Sequence, residues 1–254
     1  MFDTHAHVHD PAFDADRDDM LARAHAAGVR RIMTIGTDLA DSRRAQSAAG
    51  KYRLSYAVGI HPHEAIDAPS DIAAALDELC EGPHPPSAVG EMELDYYYDH
   101  SPRDAQRRVL VEQLRFAEQR ALPAVFHQRD AFDDFVATLR ADAGPSLRGV
   151  VHCFTGDSAQ AQMLVCEFGL FLGIGGVLTF KNAQSVRDAV LAVGLERIVL
   201  ETDCPYLAPV PYRGRRNEPA FVAATAARLA TLFETTIEDV IERTSATAQT
   251  LFPA

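Results

Sequence analysis

At 254 residues the chain is long enough for two small domains or one large one, and a hydrophobic content of 47% supplies a sizeable core. The formal net charge of −12 argues against general adhesion to nucleic-acid backbones or membrane surfaces, although metal ions and a few arginines can reverse the field inside a cleft. Four cysteines without CxxC pairing suit a reducing compartment, no basic-plus-apolar leader precedes Asp3, and no apolar run approaches spanning length. These features set the expectation of a cytoplasmic protein with no membrane partner.

Short β-rich runs alternate with segments of helical period along the chain. The predicted strands are Phe2–His7, Arg31–Gly36, Leu54–Ile60, Ala88–Leu94, Ala124–His127, Gly149–Phe154, Leu170–Ile174 and Ile198–Asp203. Between them, Met20, Leu21, Ala24 and Ala27 recur on one helical face and stop at Gly28. Leu110, Leu114 and Ala117 do the same before Pro123, and Val186, Ala189, Val190 and Val193 before Gly194. Asn217 with Pro219 reads as a helix start, and Thr235 with Glu238 as a capping box. Pro83–Pro86 is the most loop-like segment, separating a helix from the fourth strand.

Eight strands alternating with helices predict an α/β fold, a TIM-type (β/α)8 barrel running as one domain over residues 1–254. An open doubly wound sheet is the alternative, and it would gather its ligands at one switch point. Here His, Glu and Asp residues end or nearly end runs one, four, five, six and eight: His5, His7, Glu91, His127, His152 and Asp203. Positions so dispersed converge only if the sheet curls round. His5 and His7, two apart on an extended backbone, project the same way. Four imidazoles and two carboxylates suffice for two divalent cations if one carboxylate bridges; a single ion with three or four ligands is the other arrangement. Two ions about 3.5–4 Å apart suit phosphoryl hydrolysis. Because the only lysines are Lys51 and Lys181, neither on strand four, a carbamylated-lysine bridge is excluded there. Cys153 and Cys204 adjoin suspected ligands but face away, as packed thiols.

Seven stretches occur in order: Asp3-Thr4-His5-Ala6-His7, Gly59-Ile60-His61-Pro62-His63, Val89-Gly90-Glu91, Leu94-Asp95-Tyr96-Tyr97-Tyr98, His152-Cys153-Phe154-Thr155-Gly156, Glu201-Thr202-Asp203-Cys204-Pro205 and Arg213-Gly214-Arg215-Arg216-Asn217-Glu218-Pro219. Together they resemble the TatD family of metal-dependent deoxyribonucleases. The resemblance implies a TIM-type barrel carrying two divalent ions (Mg, Mn or Zn). It implies that His5 and His7 bind one ion, His127 and His152 the other, and that Glu91 bridges. Asp203 then contacts the first ion and holds the nucleophilic water, while Glu201 matches an acidic position that supports the site or a further ion. Glu93 stands where the family usually has glycine, and His9 where it is often acidic and is expected to be peripheral.

Substrate contacts are expected from His61 and His63 on the loop after strand three. Arg129, two residues beyond His127, is expected to meet a phosphate oxygen, with an ion pair to Asp130 as the plain alternative. Tyr96 leads an aromatic run able to stack on an unpaired base, of which one or two members would touch substrate. Arg213 and Arg215, with Arg216, form a basic cluster in the loop after strand eight. His25, His84 and His100 are assigned to the surface. The resulting expectation is a monomeric hydrolase of DNA phosphodiesters acting on single strands or 3′ ends, an exonuclease removing nucleotides from 3′ to 5′, with Asp203 and Glu91 as catalytic groups. Aminoacyl-tRNA deacylation or other ester hydrolysis is the enzymatic alternative, and a metal-stabilised binding module the non-enzymatic one.

Overall fold

The computed structural model describes residues 1–81 and 84–252. Its strands are β1 (Phe2–Ala6), β2 (Arg31–Ile35), β3 (Ser55–Val58), β4 (Ala88–Asp95), β5 (Ala124–Arg129), β6 (Gly149–Val151), β7 (Phe171–Ile174) and β8 (Ile198–Leu200). They form one eight-stranded sheet in the order β1 to β8. The pairs β1–β2, β3–β4, β4–β5, β5–β6 and β7–β8 run parallel. Ala6, at the end of β1, makes a parallel bridge to Cys204, just beyond β8. Sequential order together with that return is the topology of a TIM-type (β/α)8 barrel, as the alternation predicts. Pro83, the first residue of the loop expected at 83–86, lies outside the described residues.

The helices are α1 (Arg17–Ala26), α2 (Leu39–Tyr52), α3 (Ile72–Cys80), α4 (Arg103–Gln119), α5 (Phe132–Asp142), α6 (Ser158–Phe168), α7 (Gln184–Val193), α8 (Val222–Leu232) and α9 (Ile237–Leu251). Local chemistry fixes several of their ends. Asp38 caps α2 by accepting the Asp41 N–H at 2.6 Å, and Asp157 and Gln160 form a reciprocal capping box on α6. The cap of α9 is shifted by one residue from the expected Thr235–Glu238 box. Thr236 caps the Asp239 N–H, while the Thr235 hydroxyl donates to the Asp239 carboxylate. Pro219 opens a single 3-10 turn, Pro219–Phe221, ahead of α8. No single helix among the described residues is long and apolar enough to cross a membrane, although the bent α8–α9 region passes that test as a pair.

Chain contacts divide the molecule into two compact units, residues 1–34 with 152–252, and residues 35–151. In the first unit, α9 delivers Phe252 against Phe2 of β1, edge to face at 6.2 Å, and the Phe252 carbonyl accepts from Arg31 of β2 at 2.7 Å. Arg216 is tied to Asp16 and to the Ala12 carbonyl, and its guanidinium lies over Phe13. In the second unit, α4 buries Val109, Leu110, Leu114, Phe116 and Ala117, and places two glutamines inside as well. Gln113 accepts the Ile60 N–H at 2.8 Å and donates to the Ile60 carbonyl at 2.9 Å. Gln106 accepts the Asp95 N–H at 2.9 Å and donates to the Ser101 carbonyl at 2.8 Å. Each amide thus satisfies backbone groups that the strands leave unpaired where β3 and β4 end.

Gly59, after β3, runs so close to Gly90 that a Cβ on it would lie 2.5 Å from the Gly90 carbonyl carbon. Backbone rather than a flexible side chain would have to move, and Glu91 follows directly. Gly59→Ala is therefore expected to lower stability by about 1–3 kcal/mol. Denaturant unfolding checks this, and an unchanged midpoint would contradict the close approach.

Candidate metal-binding sites

Within the first unit the end of β1 is locked to the segment after β8. Asp3 accepts the backbone N–H of Thr202 at 2.9 Å and its hydroxyl at 2.7 Å, and Thr4 donates to the Leu200 carbonyl at 3.0 Å. His7 N–H donates to the Cys204 carbonyl at 2.8 Å, and Asp203 N–H to the His5 carbonyl at 2.9 Å. Asn217 then ties the following loop in, donating to the carbonyls of Thr202 and Tyr206. Asp203 itself sits at φ 56, a left-handed conformation that aspartate tolerates better than most residues. The chain leaves the extended conformation after Leu200, which ends β8 three residues before the expected Asp203. β6 likewise stops at Val151, and Cys153 turns to φ 46 just after His152.

This framework collects His5, His7, His152, Glu201 and Asp203. His7 Nε2 lies 3.5 Å and His5 Nε2 3.9 Å from Asp203 Oδ1. The ligand atoms of that trio, and those of a second trio of His5, His152 and Glu201, all fall within 4.8 Å of one another. Ligands held about 2.0–2.2 Å from one divalent ion are separated by comparable distances, so nitrogen and carboxylate donors of this kind fit such an ion. The His5 and His152 rings stack at 3.8 Å. Glu201 is buried, its Oε1 accepting the Cys153 N–H at 2.5 Å and lying 3.8 Å from His152 Nδ1. Its Oε2 has no hydrogen-bond partner, and a Cβ on Gly173 of β7 would lie 2.2 Å from it. Glycine there makes room for the carboxylate. Burial pushes the Asp203 carboxyl upward, but the hydrogen bond from His7 and the nearby His152 and His5 outweigh it and hold the group below its ordinary range.

The second unit builds a separate cluster. Glu91 of β4 lies 3.0 Å from His127 Nδ1 of β5 and 3.6 Å from His61 Nε2. Distance alone groups these three as a possible ion site. His61 Nδ1, however, accepts the His63 N–H at 3.1 Å, so the proton of a neutral ring sits on Nε2, facing Glu91. His61 thereby turns an N–H rather than a lone pair toward Glu91, and Glu91 with His127 are the groups suited to an ion. Asp95 Oδ2 lies 3.1 Å from His127 Nε2 and 3.0 Å from His63 Nε2. Burial pushes its carboxyl upward, yet the bonds from His127, the Tyr98 N–H and His63 outweigh that and hold it well below the usual carboxylate range.

The aromatic run divides by environment. Tyr96 is half-buried; its hydroxyl donates to Asp134 at 2.7 Å and Arg103 covers its face at 4.0 Å. Tyr97 and Tyr98 point outward, 57% and 50% exposed, with the Arg129 guanidinium 4.0 Å and 4.7 Å from their ring centres. Arg213 lies over Phe180 at 4.0 Å, and Arg215 is exposed. His9 is buried and bonded to Thr34 at 2.7 Å, while Glu93 is buried at φ 134 on β4. His25, His84 and His100 are exposed, though His100 lies edge-on to His63 at 4.7 Å. Cys80, Cys166 and Cys204 are free thiols, and burial pushes the Cys204 thiol upward. Asp3, Asp95, Gln106, Gln113 and Asn217 carry this framework, although the sequence assigns none of them a role in the site. Asp3, Asp95 and Asn217 lie within the motif stretches, whereas Gln106 and Gln113 offer only an amide on a helix face that is otherwise apolar.

A family model described as TatD related DNase matches residues 2–253. An uncharacterized metal-dependent hydrolase of Bacillus subtilis, YabD, is 38% identical over 99% of this chain and 98% of its own length. The Klebsiella pneumoniae protein named 3′-5′ ssDNA/RNA exonuclease TatD is 34% identical over 99% of this chain and 97% of its length. Among solved structures, the Escherichia coli TatD homologue YjjV superposes with a TM-score of 0.92 at 31% identity, covering 100% of this chain and 98% of the other.

Burial and the nearby Glu201 push the Asp3 carboxyl up to about 8, against the opposing hydrogen bonds from Thr202. In the unfolded chain it ionises near pH 4 (about 3.9). Its stabilising contribution is therefore full below that point and is lost as pH rises through about 8. Thermal unfolding of metal-free Asp3→Asn is expected to decline less than wild type between about pH 4 and pH 8. Parallel declines would show that Asp3 is ionised in the fold.

Proposed function

The chain belongs to the TatD-related DNase family of metal-dependent hydrolases, and from that premise we propose that it is a 3′-to-5′ exonuclease of single-stranded nucleic acid, DNA above all, with a divalent ion in each cluster. The observation that carries this reading is the Asp203 carboxylate facing both His5 and His7, held ionised at neutral pH by its imidazole neighbours. The name of the Klebsiella relative supports the substrate and polarity. The outward Tyr97 and Tyr98 with Arg129 support an unpaired base and its phosphate as the bound group.

His5, His7 and Asp203 would hold one ion, and Glu91 with His127 another. A divalent ion in such a site neutralises phosphate charge and makes water a better nucleophile at neutral pH. Asp203 orients the attacking water and accepts its proton as the water adds in line to phosphorus. The same phosphorus loses its bond to the leaving nucleotide oxygen, and no covalent link to the protein forms. His5 and His152, stacked and buried beside Glu201, keep the inner wall of the first cluster fixed. Arg129 offers planar N–H donors for a non-bridging phosphate oxygen. The free cysteines agree with a cytoplasmic setting, and the proposal is of a monomer.

End-labelled single-stranded DNA incubated with Mg or Mn is expected to shorten from its 3′ end, with EDTA stopping the reaction. Asp203→Asn, folded as wild type by circular dichroism, is expected to lose about 10²–10⁴-fold in rate. Wild-type rates in that variant would remove Asp203 from the mechanism. Hydrolysis of charged tRNA with no cleavage of DNA or RNA would replace the nuclease reading with a deacylase.

A further inference from the structure

Asp95 ends β4, four residues beyond Glu91, and is fully buried. Four nitrogens converge on its two oxygens. Oδ1 accepts the backbone N–H groups of Tyr97 and Tyr98 at 3.0 Å and 2.9 Å. Oδ2 lies 3.0 Å from His63 Nε2 and 3.1 Å from His127 Nε2. Its own N–H is clamped by Gln106. A carboxylate bound on both oxygens and at its backbone is not free to rotate.

His127 stands between this carboxylate and Glu91, with Nδ1 3.0 Å from Glu91 Oε1. A neutral imidazole carries one proton and can donate to only one of the two acids. The other ring nitrogen then turns a lone pair toward an acid oxygen, an arrangement that a cation between them relieves. We propose that Asp95 is the positioning residue for His127: it takes the Nε2 proton, so that Nδ1 is presented beside Glu91 as the ligand atom. His63, bonded to the same Oδ2, steadies the carboxylate rather than joining the ligand set. The inference rests on the reading that Glu91 and His127 hold a divalent ion. It assigns the aspartate of the Leu-Asp-Tyr-Tyr-Tyr stretch to orienting the site, and it ties the tyrosine loop to the same carboxylate.

Asp95→Asn keeps the shape and one acceptor oxygen for the tyrosine N–H groups. Its amide then puts a donor against His127 Nε2 and drives the ring proton to Nδ1. Three measurements decide the matter on the full chain. Long-range proton–nitrogen spectra of the metal-free protein, with His127 assigned through His127→Gln, are expected to show the Nε2–H form in wild type and the Nδ1–H form in Asp95→Asn. Calorimetric titration with Mn is expected to show about 10–100-fold weaker binding in Asp95→Asn. Glu91→Gln is expected to remove the same binding event. An Nδ1–H ring in wild type, or equal Mn affinity in a folded Asp95→Asn, overturns the role. If Asp95→Asn fails to fold, the wild-type spectrum alone decides. Absence of any Glu91-dependent Mn binding in wild type would refute the ion reading, while the tautomer would still decide what Asp95 does.

Discussion

Asp3, Asp95, Glu91 and Glu201 are all held nearly out of water, and the desolvation of their charge governs what surrounds them. A carboxylate in such a place must be protonated, saturated with donors, or faced by a cation. The first two occur here, and the third is open to Glu91 and Asp203. Asp3 is pushed toward the neutral form and clamps Thr202. Asp95 is saturated by two backbone N–H groups and two imidazoles. Glu91 and Asp203 face imidazole nitrogens in arrangements that suit a divalent ion. The roles of the acids follow from which remedy their surroundings supply.

The backbone framework serves the same end. Asp3 and Asn217 in one unit, and Gln106 and Gln113 in the other, pair the N–H and carbonyl groups where strands stop. Without those partners the strand ends would carry buried unpaired polar groups, each costing about 1–3 kcal/mol. With them, His5, Asp203, Glu91 and Asp95 project from backbone that is hydrogen-bonded at the strand ends. Preorganisation of this kind is what electrostatic catalysis of phosphoryl transfer requires.

Much of the fold is legible in the sequence because each strand is a short apolar run followed by a helical period. All eight predicted strands are present, and the discrepancies lie at their ends. β6 and β8 stop early because Cys153 and Asp203 adopt left-handed φ values that no pairing pattern announces. His5, His7 and Asp203, which the motif resemblance places on one ion, do lie together. The structure groups His127 with Glu91 and Asp95, contacts that spacing alone could not supply. Gln106 and Gln113 are not legible as framework residues because a polar residue on an amphipathic helix is ordinarily solvated. The sequence singles out Tyr96 as the first of three tyrosines, whereas strand alternation ends there and it is Tyr97 and Tyr98 that turn outward.

The proposed chemistry requires divalent ions in both clusters. Anomalous diffraction from crystals grown with Mn tests that directly. Peaks are expected at ligand distance from His5, His7 and Asp203, and from Glu91 and His127 Nδ1. Crystals saturated with Mn that show no peak at either cluster would contradict it.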